Sequence, residues 1–377
     1  AGELRARVDA EAVHQRTGAV IHSSYLPAKL LWLRQSRPDL VKSVAYWMSF
    51  GEYLYLRLFG ERRVSVSMAS GTGLFDQRAC TWDAEMLDVV GIKESSLSPV
   101  AEFSEAMNGP RGIVGSAWEH VREIPWYLAV GDGAANNLGS GGDRPETWVL
   151  MVGTSGALRV VRNVEPGTIP PGLWSYRVDR RRIIQGGALS SGGNVFAWLS
   201  QSLQLPGPEQ VEAELAAMEP DAHGLTILPF LAGERSPGWK ADAHGAFAGV
   251  SLATRPLEIV RASLESIAYR FALVYDLLQS DVGAPRSIIG SGAGLLDSPT
   301  WMQIMADVLG GPLVASAALE ASARGAALLA LEAAGAIQDS TEVAAPLGIE
   351  YAPVAGHARI YRAAMERQNV LYRKVVQ

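Results

Sequence analysis

The sequence contains a single cysteine, and this scarcity limits both its covalent chemistry and its expected location. Cys80 has no second cysteine with which to form an intrachain disulfide, a situation typical of reducing compartments. The six histidines stand far apart along the chain, and none pairs with Cys80 at the spacing of zinc ligands. We therefore expect a cytoplasmic protein without a Cys–His zinc centre.

Clustered basic charge and long apolar runs are also missing. The formal net charge is −6, and the densest basic run, Arg180–Arg182, directly follows Asp179. Proteins that bind nucleic acids usually carry a basic patch or stripe, and a membrane helix needs about 20 consecutive apolar residues. We therefore expect neither a nucleic acid nor a membrane as a partner.

Three common sequence motifs of enzymes are absent as well. No lysine follows a glycine as it does in a Walker A loop, which excludes a P-loop. The sequence has no GxGxxG dinucleotide-binding motif. Residues 153–157 (GTSGA) lack the last glycine of the GxSxG turn of α/β-hydrolases. Any nucleotide site must therefore be built in another way.

The composition that is present describes a globular protein with more than one core. The chain has 377 residues, of which 48% are hydrophobic and 19% charged. This length favours two domains. Residues 140–147 are rich in glycine and charge and lie between apolar segments. We therefore place a domain boundary there and divide the chain into residues 1–143 and 144–377.

Hydrophobic spacing in the second half predicts alternating strands and helices, which indicates an α/β fold. Apolar residues recur at intervals of three and four over 257–278, the pattern of an amphipathic helix. Residues 148–152 read as a strand that enters a hairpin. In the first half we predict helices over 1–18 and 43–58, and a short strand over 126–131.

Four glycine-rich turns each follow a short apolar segment. Glycine lets the backbone approach a ligand closely, and consecutive N–H groups in such turns can bind an anion, helped by a following helix. Each turn alone is more often a simple tight turn. The turns contain Gly131–Gly133, Gly153–Gly156, Gly186–Gly193 and Gly292–Gly294.

The sequence around these turns resembles one family throughout. The segments that carry the resemblance are GDGAANNLGSGG, MVGTSGALR, GGALSSGGNVFAWL, LPFLAGERSPGW, SGAGLLDSPTWMQIMADVLG and EASARGAALLA. Their order and spacing are similar to those of the FGGY carbohydrate kinases, in particular the gluconokinase- and xylulokinase-like branch. The upstream segments RTGAVIHSSYLPAKLLWL and SVSMASGTGLFD look like the first domain of that family.

The resemblance implies a fold and a reaction. The fold is a two-domain, actin-like ATPase fold of the ribonuclease H-like class, with residues 1–143 as part of the sugar-binding domain. Residues 144–377 form the nucleotide-binding domain with a C-terminal helix. The reaction transfers the γ-phosphate of ATP to a hydroxyl of a sugar or sugar acid, gluconate- or xylulose-like, with Mg²⁺. Whether the protein forms a homodimer is left open by the sequence.

The resemblance also assigns roles to single residues. Asp132 is the base that takes the proton of the sugar hydroxyl, and it faces the Mg²⁺ through water; the alternative is an Asp that only stabilises its own turn. Gly153 and Thr154 contact the β- and γ-phosphates, unless they form a plain hairpin turn.

Further positions of the family's motifs carry the remaining contacts. Gly193 matches a position on the nucleotide side, and Gly292 and Ala293 match the adenosine loop. His22 and Tyr25 lie where the family supplies side chains that face the sugar; a satisfied pair in the core is the alternative. Two further residues in the GERSPGW segment, Glu234 and Arg235, are candidate substrate ligands, but a structural ion pair that shapes their loop is the role we expect.

One departure from the family pattern concerns the phosphate site. The family opens with a strand and an Asp-x-Gly-Thr turn that binds phosphate and magnesium, and no such motif precedes Arg16–Gly18. We therefore expect an incomplete first domain and poor phosphate transfer by this chain alone. Two alternatives remain: a catalytically impaired relative that only binds sugar or nucleotide, and another actin-like ATPase.

Overall fold

The first part of the chain is mostly helical. The computed structural model describes residues 1–111 and 119–376. The helices here are α1 (Gly2–Arg5), α2 (Ala10–Thr17), α3 (Leu26–Ser36), α4 (Pro38–Ser43), α5 (Phe50–Phe59), α6 (Val66–Ser70), α7 (Ala84–Val90) and α8 (Asp132–Gly139), with 3₁₀ turns at Glu94–Ser96 and Glu119–Val121. Short strands pair as β1 (Val64–Ser65) with β4 (Val100–Ala101) and as β2 (Phe75–Asp76) with β3 (Thr81–Trp82).

A mixed sheet of seven strands organises the second part. Its strands are β5 (Thr147–Val152), β6 (Gly156–Arg162), β7 (Trp174–Arg177), β8 (Ile183–Leu189), β11 (Ser287–Ser291), β12 (Leu313–Ser316) and β13 (Leu347–Tyr351), in the spatial order β13-β12-β11-β5-β6-β8-β7. A separate pair is formed by β9 (Thr226–Leu228) and β10 (Ala246–Ala248). Because β11 pairs in parallel with β5, the loops that follow these two strands meet at one edge of the sheet.

Helices pack against this sheet, and the longest of them contacts β6 and β8. They are α9 (Gly193–Ser202), α10 (Pro208–Ala217), α11 (Pro256–Val282), α12 (Ala293–Leu296), α13 (Pro299–Leu309), α14 (Ala321–Ala333) and α15 (His357–Val375), with a 3₁₀ turn at Ser340–Glu342. Ile267, Phe271 and Val274 of α11 are fully buried and belong to the largest apolar core. None of the described helices combines the length and the apolar character that spanning a membrane requires.

Two glycines allow α8 and α14 to touch backbone to backbone. A Cβ atom on Gly139 would lie 1.7 Å from the carbonyl oxygen of Ala321, and one on Gly325 would lie 1.8 Å from that of Ala135. Arg324 adds a hydrogen bond from Nη1 to the carbonyl oxygen of Gly139, at 2.9 Å. The helix that begins at Asp132 is therefore held directly against α14.

The predicted hairpin, the predicted long helix and the α/β class are confirmed. Strands β5 and β6 pair in antiparallel register, and α11 (Pro256–Val282) contains the whole predicted range 257–278 and continues past its C-terminal end. The predicted strand over 126–131 is wrong, because only Trp126 forms an isolated bridge, with Met107. An apolar segment forms a β-strand only where the edge of another strand is available for backbone hydrogen bonds.

The two helices predicted in the first half are shorter than expected, and capping explains both. Asp9 accepts hydrogen bonds from Glu11 and Ala12 and begins α2, so the stretch 1–18 divides into two helices. Ser49 forms a capping box with Glu52, and the second helix therefore begins only at α5.

Apolar contacts join residues on both sides of the expected boundary after residue 143. A single core cluster contains Tyr25 and Leu138 together with Val161, Trp174 and Leu329. The side chains that approach the site described below therefore come from both parts of the chain.

Candidate active site

A cavity of about 630 Å³ lies at the N-terminal end of α8. Its lining includes Asp132 and Gly133 from that helix, Tyr25 from the first part of the chain, and Arg159 and Trp239 from the second. This volume lies in the range of small-molecule sites. A charged group, aromatic rings and cationic side chains thus face one space that is large enough for a sugar.

Asp132 is exposed in this cavity and also stabilises its own turn. Its Oδ1 accepts a hydrogen bond from the backbone N–H of Gly133, at 2.8 Å. Within the described part of the chain, its side chain forms no other hydrogen bond. The turn-stabilising contact considered from the sequence is therefore present, yet one carboxylate oxygen stays available to a ligand.

Aromatic side chains form one wall of the cavity. The hydroxyl of Tyr25 is hydrogen-bonded to that of Tyr176, and its ring lies 6.0 Å from that of Trp239. Tyr176 in turn stacks on Trp174, with ring centroids 4.3 Å apart. Burial raises the pKa of Tyr25 to about 12, so its hydroxyl stays neutral. Such rings pack against the carbon–hydrogen faces of sugars.

His22 does not line this cavity. It lines a neighbouring one of about 360 Å³, which shares Ser24 and Arg235 with the larger cavity. Its Nδ1 accepts the backbone N–H of Ser24 at 3.2 Å, while the buried Nε2 has no partner among the described residues. Burial lowers the pKa of His22 to about 4, and the positive charges of Arg5 and Arg235 contribute.

We expect His22→Gln to flatten the dependence of stability on pH between about 6.5 and 4. The folded state disfavours the charged imidazole, with a pKa of about 4, whereas the unfolded chain takes up the proton near its ordinary pKa of about 6.5. The contribution of the neutral His22 to stability is therefore fully present above about pH 6.5 and is lost as the pH falls from about 6.5 to about 4. Melting temperatures at neutral and acidic pH measure the effect.

The control for this prediction is His244→Gln, because His244 is exposed. An equal loss of melting temperature on acidification in wild type and His22→Gln would contradict the prediction. His14 is also buried, with a pKa lowered by burial, so part of the slope should remain.

The turn after β5 and the start of α9 are in direct backbone contact. The N–H of Gly193 donates to the carbonyl oxygen of Gly153 at 2.8 Å, and that of Asn194 donates to Thr154 at 3.1 Å. A Cβ atom on Gly193 would lie 2.7 Å from the carbonyl oxygen of Gly153. This close approach requires glycine at position 193.

The turn after β11 joins the same cluster. Gly292 has a φ of +86°, and a Cβ atom there would lie 2.5 Å from the carbonyl oxygen of Val152. Ala293 begins α12 directly after it, and a Cβ atom on Gly294 would lie 3.1 Å from the carbonyl oxygen of Gly153. The sequence-predicted nucleotide residues are thus brought together at one edge of the sheet.

Strand β6 connects this cluster to the cavity. It begins at Gly156, beside the turn after β5, and carries Arg159 three residues later. At about 3.3 Å per residue, these positions lie about 10 Å apart. A Cβ atom on Gly133 would lie 3.4 Å from Cζ of Arg159. The carboxylate of Asp132 and the glycine turns are therefore linked through one short strand.

The prediction of an ion pair between Glu234 and Arg235 is wrong, because the two side chains have different partners. Glu234 is buried and pairs with Arg270 of α11, and it accepts a hydrogen bond from the hydroxyl of Tyr372 at 2.6 Å. Arg235 instead donates to the carbonyl oxygen of Leu189 and lines both cavities.

Arg159 is a site residue that the sequence analysis did not assign. It is 9% exposed, and its Nε and Nη1 have no hydrogen-bond partner among the described residues. Burial lowers the pKa of Arg159 to about 10, which leaves it charged at neutral pH. The available signal was a cation within an apolar strand, where charged residues are rare unless paired.

This arrangement matches the two-domain, actin-like fold of sugar kinases. A solved gluconate kinase from Lactobacillus acidophilus superposes with a TM-score of 0.89 at 26% identity, over 99% of this chain and 76% of that one. A xylulose kinase from Rhodospirillum rubrum gives a TM-score of 0.83 at 28% identity, over 99% of this chain and 76% of that one.

The chain belongs to the FGGY family of carbohydrate kinases. The family model of the N-terminal domain matches residues 1–139, and that of the C-terminal domain matches 149–334. The gluconokinase of Bacillus subtilis (strain 168) is 27% identical over 97% of this chain and 74% of its own length. A glycerol kinase of Koribacter versatilis (strain Ellin345) is 30% identical over 91% of this chain and 70% of its own length.

The predicted family, fold and reaction are thereby confirmed. The protein is an ATP-dependent phosphotransferase that acts on a hydroxyl of a sugar or sugar acid. The alternative of a catalytically impaired relative gains no support from these comparisons.

Proposed function

We propose that Asp132 is the general base for the hydroxyl that attacks the γ-phosphate of ATP. The supporting observation is its carboxylate, which lines the sugar-sized cavity and keeps one oxygen outside its own turn. Phosphoryl transfer needs mostly positioning, charge neutralisation and a proton acceptor. Asp132 takes up the proton as the hydroxyl oxygen attacks.

We also propose that the glycine turns hold ATP, with Gly153 and Thr154 at the β- and γ-phosphates. Gly193, Gly292 and Ala293 line the remainder of the nucleotide site. The support is the backbone contact between the turns, since a Cβ atom on Gly193 or Gly292 would meet the backbone of the neighbouring turn. Backbone N–H groups in such turns suit phosphate oxygens.

Mg²⁺ fits this site through one protein carboxylate. The oxygen of Asp132 that is not used in the turn can face the ion through water, as Mg²⁺ commonly keeps several of its water ligands. The ion neutralises charge on the β- and γ-phosphates when it is bound. The protein's own contribution is to hold the Asp132 carboxylate at the start of α8.

For the sugar, we propose contacts from Tyr25 and His22. Tyr25 offers a ring and a hydroxyl at the cavity wall, and His22 offers its unpartnered Nε2 from the neighbouring cavity. We propose residues 1–143 as the part that supplies these contacts and 144–377 as the nucleotide-binding part. Gluconate- and xylulose-like substrates both agree with the relatives.

We expect Gly193→Ala to weaken the binding of ADP with Mg²⁺ by about tenfold or more. The new Cβ atom would lie 2.7 Å from the carbonyl oxygen of Gly153, so the two loops must separate at a cost of about 1–3 kcal/mol. Calorimetric titration with ADP and Mg²⁺ measures the change. Gly167→Ala is the control, because nothing lies within 4 Å of its added atom. Unchanged ADP affinity in Gly193→Ala would refute the nucleotide assignment.

A further inference from the structure

The cavity beside Asp132 contains more positive charge than its own acidic residues can pair. Arg159 is 9% exposed, and no carboxylate lies within ion-pair distance of it among the described residues. Arg235 also lines the cavity, and its side chain donates to the backbone at Leu189 rather than to an acid. Buried arginines in folded proteins are almost always paired.

The acidic residues of the cavity are occupied elsewhere or stand apart. Glu52 accepts the N–H of Ser49 at 2.7 Å and thereby caps α5. Asp132 accepts the N–H of Gly133 and forms no ion pair with Arg159, which it stabilises only over a longer distance. A third cation of the lining, Arg177, is paired with Glu165 at 2.9 Å. The unpaired charges are therefore the two guanidinium groups of Arg159 and Arg235.

These two guanidinium groups act on the same space. Both Arg159 and Arg235 line the cavity, and the positive charge of Arg235 contributes to the lowered pKa of Arg159. A neutral sugar would leave both cations buried without a counter-charge. A carboxylate accepts parallel hydrogen bonds from a guanidinium, which are among the strongest that proteins form.

We propose that the substrate is an aldonic acid and that Arg159, together with Arg235, binds its carboxylate. The inference rests on the proposed function, since the acid must occupy the cavity that holds Asp132. Nε and Nη1 of Arg159 are buried without a partner among the described residues, so Nη2 is the nitrogen that can reach a carboxylate in the cavity that Arg159 lines. Tyr25 and Trp239 then pack against the carbon chain that connects the carboxylate to the reacting hydroxyl.

A matched pair of ligands tests this directly. D-gluconate and D-glucitol share their hydroxyl pattern and differ at one end, where a carboxylate replaces a hydroxymethyl group. With a non-hydrolysable ATP analogue and Mg²⁺ present, calorimetry should show gluconate binding to the wild-type protein about 30-fold more tightly or better. Equal affinity for the two ligands would overturn the proposal.

Variants locate the preference on the guanidinium groups. Arg159→Met should weaken the binding of gluconate by about 30-fold or more and leave the binding of glucitol nearly unchanged. If Arg159→Met fails to fold, Arg235→Met should reduce the same preference for gluconate over glucitol. Arg162→Met is the control, since Arg162 is on the same strand but pairs with Asp281 outside the cavity. An equal loss for both ligands in Arg159→Met would overturn the carboxylate assignment.

Steady-state kinetics separate this role from an effect on the base. The proposal requires Arg159→Met to raise KM for gluconate with little change in kcat; a fall in kcat alone, for acid and neutral substrates alike, would overturn it. Gluconate binding that depends on Arg159, without ADP release on any sugar, would refute the proposed function and support this inference. If neutral sugars cause ADP release and gluconate does not inhibit that reaction, the proposed function would be supported and this inference would be overturned.

Discussion

Replacing Asp132 with asparagine is expected to lower kcat by about 10²- to 10⁴-fold while ADP and substrate still bind. Asparagine keeps an oxygen that can accept the N–H of Gly133, so the turn at the start of α8 should persist. It removes only the ability to take a proton from the attacking hydroxyl. A coupled ADP-release assay of the full-length protein at saturating substrate measures kcat, and calorimetry measures both affinities.

The control for this substitution is Asp88→Asn, which changes an exposed aspartate in α7. Turnover equal to that of the control would end the assignment of Asp132 as base. A higher KM for ATP with Mg²⁺ at unchanged kcat would reject base catalysis too, because it would leave Asp132 only a contact to the metal–nucleotide complex.

Glu234→Gln should reduce the free energy of unfolding by about 3–5 kcal/mol, because it leaves a buried cation without its counter-charge. Arg270 is 3% exposed and Glu234 2% exposed, and their ion pair is completed by the hydroxyl of Tyr372. A Cβ atom on Gly238 would lie 2.3 Å from Oε2 of Glu234, so the loop is packed tightly around this carboxylate. Urea unfolding of wild type and variant measures the loss.

A second pair on the protein surface provides the control. Glu366 and Arg373 form an ion pair whose side chains are each 66% exposed, and Glu366→Gln should cost at most about 1 kcal/mol. The double variant Glu234→Gln/Arg270→Met should recover part of the lost stability, because it removes the orphaned charge. A loss in Glu234→Gln no larger than that of the control would show that the pair is not needed for stability.

Local patterns in the sequence predict local elements of this fold well. The spacing of apolar residues marks α11, and the GTSG turn marks the β5–β6 hairpin. Both depend on neighbours in sequence. Residues 126–131 have similar apolar character, yet their pairing is limited to an isolated bridge at Trp126, because a strand needs a partner that the local sequence does not specify.

The candidate site was predicted in part, and the missing part depends on distant contacts. Asp132 and the glycine turns follow from motif and family resemblance. Arg159 could not be assigned from alternation, because nearly all of β6 is buried on both faces. The wall formed by Tyr25 and Tyr176 joins positions 151 residues apart. No window of sequence shows that these rings and that cation share a cavity.

The glycine contact between α8 and α14 has a mechanical consequence for the catalytic cycle. Although Asp132 precedes residue 143, its helix is fixed by Gly139 and Gly325 to an element of the C-terminal part. Any movement of α14 would therefore carry Asp132, the proposed base, with it. Tyr25 is held to β7 by its hydrogen bond to Tyr176, so the proposed base and this wall of the cavity are both anchored to elements that follow residue 143.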